Sequence, residues 1–425
     1  MIKLFPHQQK ALQDTEDKNK VAYYLDMGLG KTFVGSEKMK QLGAKVNLVI
    51  CQKSKIDDWI EHFKEHYPLY SVHDLTINKD DVIIFMELVQ GLSGTFIGVI
   101  NYELAFRRPE LVELEDFTLM LDESSLIQNE NSKRSRFILK KLHPENVILL
   151  SGTPTGGKYE RLWSQLSLLG WKISKKLFYK QYVDFHYDDN EGFPIMIIDG
   201  YKNVERLKQK MRDYGCIFMK TEEVIDLPEQ IHNTIKVSTT KEYRKFRKEC
   251  IVTVDETELV GDTTLTKMLY ERQLCGQYNQ EKLAAFKDLV ESTNDRLVVF
   301  HNFTDERAKL ATIAHLECGR TIGFVNGDTK GGIDVFNEHD DCVLFVQYQA
   351  GAMGLNLQKA NKIVYFTPPL GSEIFEQSKK RIHRVGQGKP CFYYYLTCKG
   401  SIEEKIYKTL AMRKDYTDKL FEEDQ

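Results

Sequence analysis

Short apolar runs rich in β-branched or aromatic residues recur at 21–25, 46–51, 82–85, 96–100, 117–121 and 147–150, separated by helix-prone stretches. Strands alternating with helices make a parallel sheet covered on both faces. From 171 to about 227 the pattern turns helical and basic-aromatic (Lys175, Lys176, Phe178, Tyr179, Lys180, Tyr182). Helical spacing there favours a packed helical insertion over a stacking surface for nucleic acid. Leu227-Pro228-Glu229 reads as a break. Beyond it, basic helices are predicted over 240–250 and 265–274, then strands over 296–300, 321–326, 342–346, 362–366 and 391–396. The expectation is two tandem α/β domains. The first covers 1–227 with a helical insertion near 171–220, and the second covers 228–425 with a helical segment near 238–290.

Parallel sheets place their sites at the C-terminal ends of strands, so the chemistry is sought just after these runs. The first run leads into Asp26-Met27-Gly28-Leu29-Gly30-Lys31-Thr32, with a helix-prone segment behind it. Strand, glycine loop and helix start in that order make an anion cradle, because unspent N–H groups at the helix start point into the loop. Gly28 and Gly30 allow close backbone approach, Lys31 reaches the β/γ oxygens, and Thr32 offers a hydroxyl to Mg²⁺. The longer consensus wants a glycine where Leu25 stands, so an ordinary glycine turn is the competing reading.

The run 117–121 ends in Asp122-Glu123-Ser124-Ser125, where one carboxylate can hold Mg²⁺ through water and the next can orient the attacking water. Paired acids at a strand end are otherwise solvent-facing turn residues. The run 147–150 ends in Ser151-Gly152-Thr153-Pro154, which alone would be a turn. In the second half, 349–357 carries two glycines after a strand. The stretch 377–387 spaces Arg381 and Arg384 three apart, which predicts both on one helix face where they could clamp a γ-phosphate. An exposed basic helix is the plainer account, and His383 reads as structural.

Composition excludes more than it assigns. The 425 residues, 42% hydrophobic and 28% charged, are ordinary for a globular protein, and a net charge of −3 does not advertise nucleic-acid binding. Basic patches at 133–141, 172–180, 241–248 and 379–389 permit a polyanion partner, and the chain closes on a small acidic tail at 422–424. Eight scattered cysteines without metal spacing argue for a reducing compartment and against zinc or disulfides. The N-terminus lacks a signal peptide and no apolar run approaches a membrane span, so a cytoplasmic protein is expected.

Taken in order, these segments resemble the Swi/Snf-type DNA-dependent ATPases of helicase superfamily two, built from two RecA-like lobes. Leu4-Phe5-Pro6-His7-Gln8 is similar to the adenine-reading Q motif, 26–32 to the phosphate loop, 48–59 to motif Ia, Asp122-Glu123 to Walker B and 151–154 to motif III. Val298-Val299-Phe300 is similar to motif IV, 351–357 to motif V, 377–387 to motif VI, and 400–406 to the brace after the last strand. Arg384-Val385-Gly386-Gln387 is the most family-specific piece.

The resemblance implies ATP and Mg²⁺ between two RecA-like lobes. Gln8, Met27, Gly28, Leu29, Gly30, Lys31, Thr32, Gly354 and Gln377 would hold the nucleotide, and Thr32 and Asp122 the metal. Lys31, Asp122, Glu123, Arg381 and Arg384 would be catalytic, and Lys53, Ser54, Asn101, Tyr102, His301, Asn302 and Gln349 would face DNA. It further implies a monomeric motor that moves on double-stranded DNA without separating strands and remodels protein–DNA or branched DNA complexes, with a DNA-bound or recruiting protein as partner. The alternatives are a strand-separating helicase on DNA or RNA and a non-catalytic nucleotide-gated binder.

Three departures stand out. Ser124-Ser125 replaces the usual alanine-histidine, which implies looser coupling of hydrolysis to movement through Ser125. Pro368-Pro369-Leu370-Gly371 replaces a tryptophan-asparagine-proline segment, and 327–335 is short. Histone-reading domains have no room, so a bare motor is expected.

Overall fold

The structure is a computed structural model that describes residues 3–188, 195–326, 331–351 and 355–421. The chain divides into two compact units, Met1–Val224 with Tyr416–Gln425, and Ile225–Asp415.

In the first unit, helix α1 (Pro6–Gln13) precedes β1 (Lys20–Leu25), which runs through the glycine loop into α2 (Lys31–Leu42). The strands β2 (Val46–Cys51), β3 (Tyr70–Asp74), β4 (Thr95–Asn101), β5 (Phe117–Asp122) and β6 (Asn146–Ser151) follow. Helices α3 (Ile56–His66) and α4 (Asp81–Gly91) are interleaved among them. After β6, an antiparallel ribbon, β7 (Val183–Asp188) and β8 (Ile195–Tyr201), stands apart, and β9 (Cys216–Met219) returns to the sheet. The sheet is parallel throughout, in the order β3-β4-β2-β5-β6-β1-β9. Its central strands are buried along almost their whole length, which is why they read as continuous apolar runs.

Three differences from the expected pattern have physical reasons. Residues 82–85 form part of α4 and not a strand. Val82 and Phe85, three apart, are buried while Ile83 and Ile84 are 43% and 51% exposed, so a run of four apolar residues carries a helical period that its composition hides. The edge strand β3, Tyr-Ser-Val-His-Asp, is half-buried throughout and polar, and so lacks the apolar signature of its neighbours. The 171–220 insertion is helical at Lys175–Tyr182 and Val204–Asp213, but the ribbon β7/β8 lies between those helices.

The second unit opens with β10 (Gln230–Val237) and a small hairpin, β11 (Ile251–Val254) with β12 (Thr257–Val260). Helices over Lys241–Glu249 and Thr264–Cys275 match the predicted basic helices. Then come β13 (Leu297–His301), β14 (Ile322–Val325), β15 (Val343–Gln347), β16 (Lys362–Tyr365) and β17 (Cys391–Cys398), forming a parallel sheet in the order β10-β17-β16-β13-β15-β14. Alternate residues feed two cores. Val298, Phe300, Ile363 and Tyr365 pack with Phe375, Ile406 and Leu410, while Val299, Val364 and Phe366 pack with Phe286 and Leu289.

Arg381 and Arg384 do not share a helix face. The helix Ser372–Lys379 stops before them, and the Arg381 carbonyl accepts a hydrogen bond from Leu357 N (3.2 Å) instead of continuing a helical ladder. Among the described residues no helix is long and apolar enough to cross a membrane, and all eight cysteines are free thiols.

Candidate active site

The phosphate loop is set by its glycines. Gly28 and Gly30 adopt φ of +89° and +79°, a left-handed conformation that a side chain resists, and Gly30 is the residue from which α2 starts. A Cβ on Gly30 would sit 2.1 Å from Gln8 Nε2, so the loop and α1 are in direct contact there. Gln8 is buried. Its Nε2 donates to Leu29 O (3.0 Å), while its Oε1 accepts from Phe5 N (3.0 Å). The expected adenine reader therefore fastens α1 to the loop. His7 adds a second hydrogen bond to Leu29 O (3.1 Å).

Leu29 is fully buried, its N–H given to Asp26 O (3.3 Å), whereas Met27 and Thr32 are half-buried and Gly28 is exposed. Lys31 Nζ donates back to the carbonyls of Leu25 (2.8 Å) and Asp26 (3.2 Å). Asp26 is anchored in turn by Thr221, whose N–H and hydroxyl both donate to its Oδ2 (3.1 and 3.3 Å).

The acid pair ends β5. Asp122 Oδ2 accepts from the Trp59 indole of α3 at 2.9 Å. Burial pushes this carboxyl above its ordinary value, and the Trp59 bond and the charges of Lys31 and Lys55 oppose that shift. Glu123 turns the chain at φ 58°, left-handed for a residue with a side chain. Its Oε1 accepts from Ser151 Oγ (2.6 Å) and Ser125 Oγ (3.0 Å), and Ser151 Oγ also accepts from Thr153 N (3.1 Å). The segment after β6 is thus tied directly to the second acid. Ser125 takes part in that tie.

Gln165, buried, gathers the rest. It accepts from Tyr24 Oη (3.0 Å) and Ser124 Oγ (2.8 Å) and donates to Pro154 O (2.8 Å).

These residues fit a nucleoside triphosphate with a hydrated divalent cation. The loop turns through positive φ at Gly28 and Gly30 and leads straight into a helix start, where backbone N–H groups are unspent. A hydroxyl at Thr32 and a carboxylate at Asp122 are the oxygen donors that Mg²⁺ takes. By contrast Cys275, Cys398 and Glu403 in the second unit, whose donor atoms lie within 4.8 Å of one another, do not suit a metal. Lys282 Nζ already occupies Glu403 Oε1 at 2.6 Å.

In the second unit Arg381 is 1% exposed, Gln377 is buried and Arg384 is half-buried. His383 hydrogen-bonds to Pro228 O (2.8 Å), which is a structural use. Gln387 staples its turn by donating to Ala360 O (2.9 Å) and Gln358 O (3.1 Å). Gly354 lies outside the described residues.

The expected DNA-facing set divides. Lys53 and Gln349 are exposed and Ser54 is half-buried. Three others are corrected. Tyr102 is fully buried and donates to Asp122 O (3.0 Å) and Glu123 O (3.4 Å), so it supports the acid turn from beneath. Asn101 and His301, the last residues of β4 and β13, are buried because parallel strands covered on both faces keep even their ends inside. Asn302 spends its amide on Thr367 Oγ1 (2.8 Å) and Pro368 O (3.1 Å).

Comparison with known proteins decides the family. The SNF2-related domain matches residues 23–282, more than half of the chain.

The chain belongs to the SNF2-related family.

The helicase conserved C-terminal domain matches 281–386 of this SNF2-related chain. Similar curated proteins include a mouse SWI/SNF-related matrix-associated actin-dependent regulator of chromatin, subfamily A member 1, 23% identical over 91% of this chain and 40% of that protein. A putative ATP-dependent helicase/translocase of Bacillus subtilis is 23% identical over 93% of this chain and 46% of its own length. The DNA excision repair protein CSB of rice is 23% identical over 94% and 39%. The chain spans less than half the length of these relatives. Among solved structures, the Sulfolobus solfataricus SWI2/SNF2 ATPase core in complex with dsDNA aligns over 98% of this chain and 92% of that one, at 20% identity and a TM-score of 0.45.

Sequence reasoning missed Trp59, Thr221 and Gln165 in this SNF2-related chain. Each acts across a long sequence separation on a residue that was itself legible, and no local pattern announces such a partner.

Proposed function

We propose that this chain hydrolyses Mg²⁺-ATP and uses it to move along double-stranded DNA without separating the strands, remodelling protein–DNA or branched DNA complexes. The observation that carries the reading is the acid turn. A half-buried Asp122 lies within the field of Lys31, and a Glu123 in strained backbone has its carboxylate oriented by two serines. Side chains held in this way suit a hydrolytic site, where orientation and electrostatics supply most of the acceleration in phosphoryl transfer.

In this reading Lys31 and the first amides of α2 take the phosphates, Thr32 and Asp122 hold the metal, and Glu123 orients the attacking water. Bound Mg²⁺ supplies charge neutralisation on the β/γ oxygens. Gln8 fixes the loop and offers what remains of its amide to adenine, with Met27, Gly28, Leu29, Gly30, Gln377 and Gly354 as further nucleotide contacts. Arg381 and Arg384 are the second lobe's contribution to turnover, and arginines in that role are worth ~10³ to 10⁵ in rate. Lys53, Ser54 and Gln349 remain the DNA-facing candidates, with Asn302 behind them. The functional lobes run 1–227 and 228–425, the protein acts as a monomer, and its eight free thiols suit a reducing, cytoplasmic compartment.

The test is ATP hydrolysis at low salt with no nucleic acid, duplex DNA, single-stranded DNA and RNA. Stimulation by the duplex alone is expected. Stimulation only by single strands or RNA, or unwinding of a tailed duplex, would move the protein to the strand-separating reading.

A further inference from the structure

β10 is an edge strand. It pairs with β17 alone, and among the described residues the outer edge of its eight residues has no backbone partner. Its side chains alternate, with His232, Thr234 and Lys236 exposed and Ile231, Asn233 and Ile235 half-buried. Thr234 lies opposite Tyr395 and Lys236 opposite Thr397 in the β17 register.

On that face, between the Ser372–Lys379 helix and the terminal helix Ile402–Phe421, is a cavity of about 480 Å³. Thr234 and Lys236 of the edge strand line it, with Thr397, Tyr407, Lys379 and Lys414.

The charge around this cavity suits a carboxylate. Its charges do not cancel: Lys379 pairs with Glu376 (2.7 Å) and Lys236 with Glu404 (2.8 Å), while the exposed Lys414 makes no ion pair among the described residues. Partial burial of its ring first, and then the charges of Lys379 and Lys414, hold the nearby His232 imidazole below its ordinary value, with Glu376 opposing.

We propose that the β10 edge accepts an extended segment of a partner protein as an added strand, and that an Asp or Glu side chain of that segment enters this cavity. Side chains of an added strand alternate between faces, so one residue near Thr234 projects toward the cavity while the main chain supplies register and hydrogen bonds. Lys236 and His232 on the edge make it selective, because an uncharged edge would pair with any strand.

The test is selection of binders to the full chain from a random twelve-residue peptide library, followed by synthesis of the enriched peptides. They are expected to carry one acidic residue flanked by β-branched residues and to slow hydrogen exchange of the Gln230–Val237 amides. Replacing the peptide's acid by its amide, or introducing Lys414→Glu, is expected to weaken binding at least about tenfold. Duplex-stimulated hydrolysis by Lys414→Glu should be unchanged. The proposal is overturned if nothing enriches, if the enriched peptides lack an acid or bind Lys414→Glu equally well, if protection falls elsewhere, or if free glutarate binds as tightly as the peptides.

Discussion

In the first unit Asp122 and Glu123 sit half-buried at a strand end, each held by a few neutral donors, with Lys31 nearby and turned onto backbone carbonyls. In the second unit Lys282 and Glu403 are fully buried and paired with each other (2.6 Å). Glu403 also accepts Cys398 N (3.0 Å), and Lys282 lies 5.0 Å from the Phe366 ring centroid. Burial pushes Lys282 down, and Glu403 beside it more than reverses the effect. One cluster is closed and self-neutralising; the other is open at a strand tip and keeps capacity for a ligand. Closed charge maintains a fold, whereas open, oriented charge can do chemistry, and the difference is visible before any activity is measured.

The largest effect expected on this contrast comes from Glu123→Gln. Nucleotide binding should persist while hydrolysis falls by about a thousandfold or more, consistent with loss of a group acting only in the transition state. Retained turnover under single-turnover conditions would break the assignment. On the closed side, Lys282→Ala should cost roughly 3 to 5 kcal/mol by stranding Glu403, whereas Lys282→Met with Glu403→Leu should recover much of it. Urea denaturation measures both, and a double variant no better than the single one would mean that the pair does more than neutralise itself.

Glu306 tests the middle ground, since it is fully buried with Thr367 Oγ1 as its hydrogen-bond donor (2.8 Å). Burial raises its carboxyl to about 7. Because the folded value exceeds the unfolded one, the neutral acid's contribution is complete below about pH 4.5 and is lost as pH rises through about 7, roughly 3 kcal/mol in all. The gap in stability between the native chain and Glu306→Gln should therefore change across pH 5 to 8. A constant gap would show that the acid titrates normally.

The smallest effect is expected from Ser151→Ala. Losing a hydrogen bond to a charged oxygen is worth about 1.5 to 3 kcal/mol, or about ten- to a hundredfold in kcat, with ATP affinity nearly unchanged. An equal loss in affinity would make Ser151 a binding residue and not one that orients Glu123.

The sequence by itself determined the rhythm of both sheets, the phosphate loop and the acid pair, because each is local. A buried parallel strand must be apolar throughout, and a loop that cradles anions needs glycine where φ turns positive. Tertiary structure decided what depends on distant partners. It made 82–85 a helix by burying Val82 and Phe85 on one side, and it ended the helix before Arg381 through a bond to Leu357 N. It also turned Tyr102 inward under Asp122, and brought Trp59 to the carboxylate from 63 residues away. Which neighbour satisfies a polar group is settled by packing across the sheet, and one-dimensional spacing does not encode it.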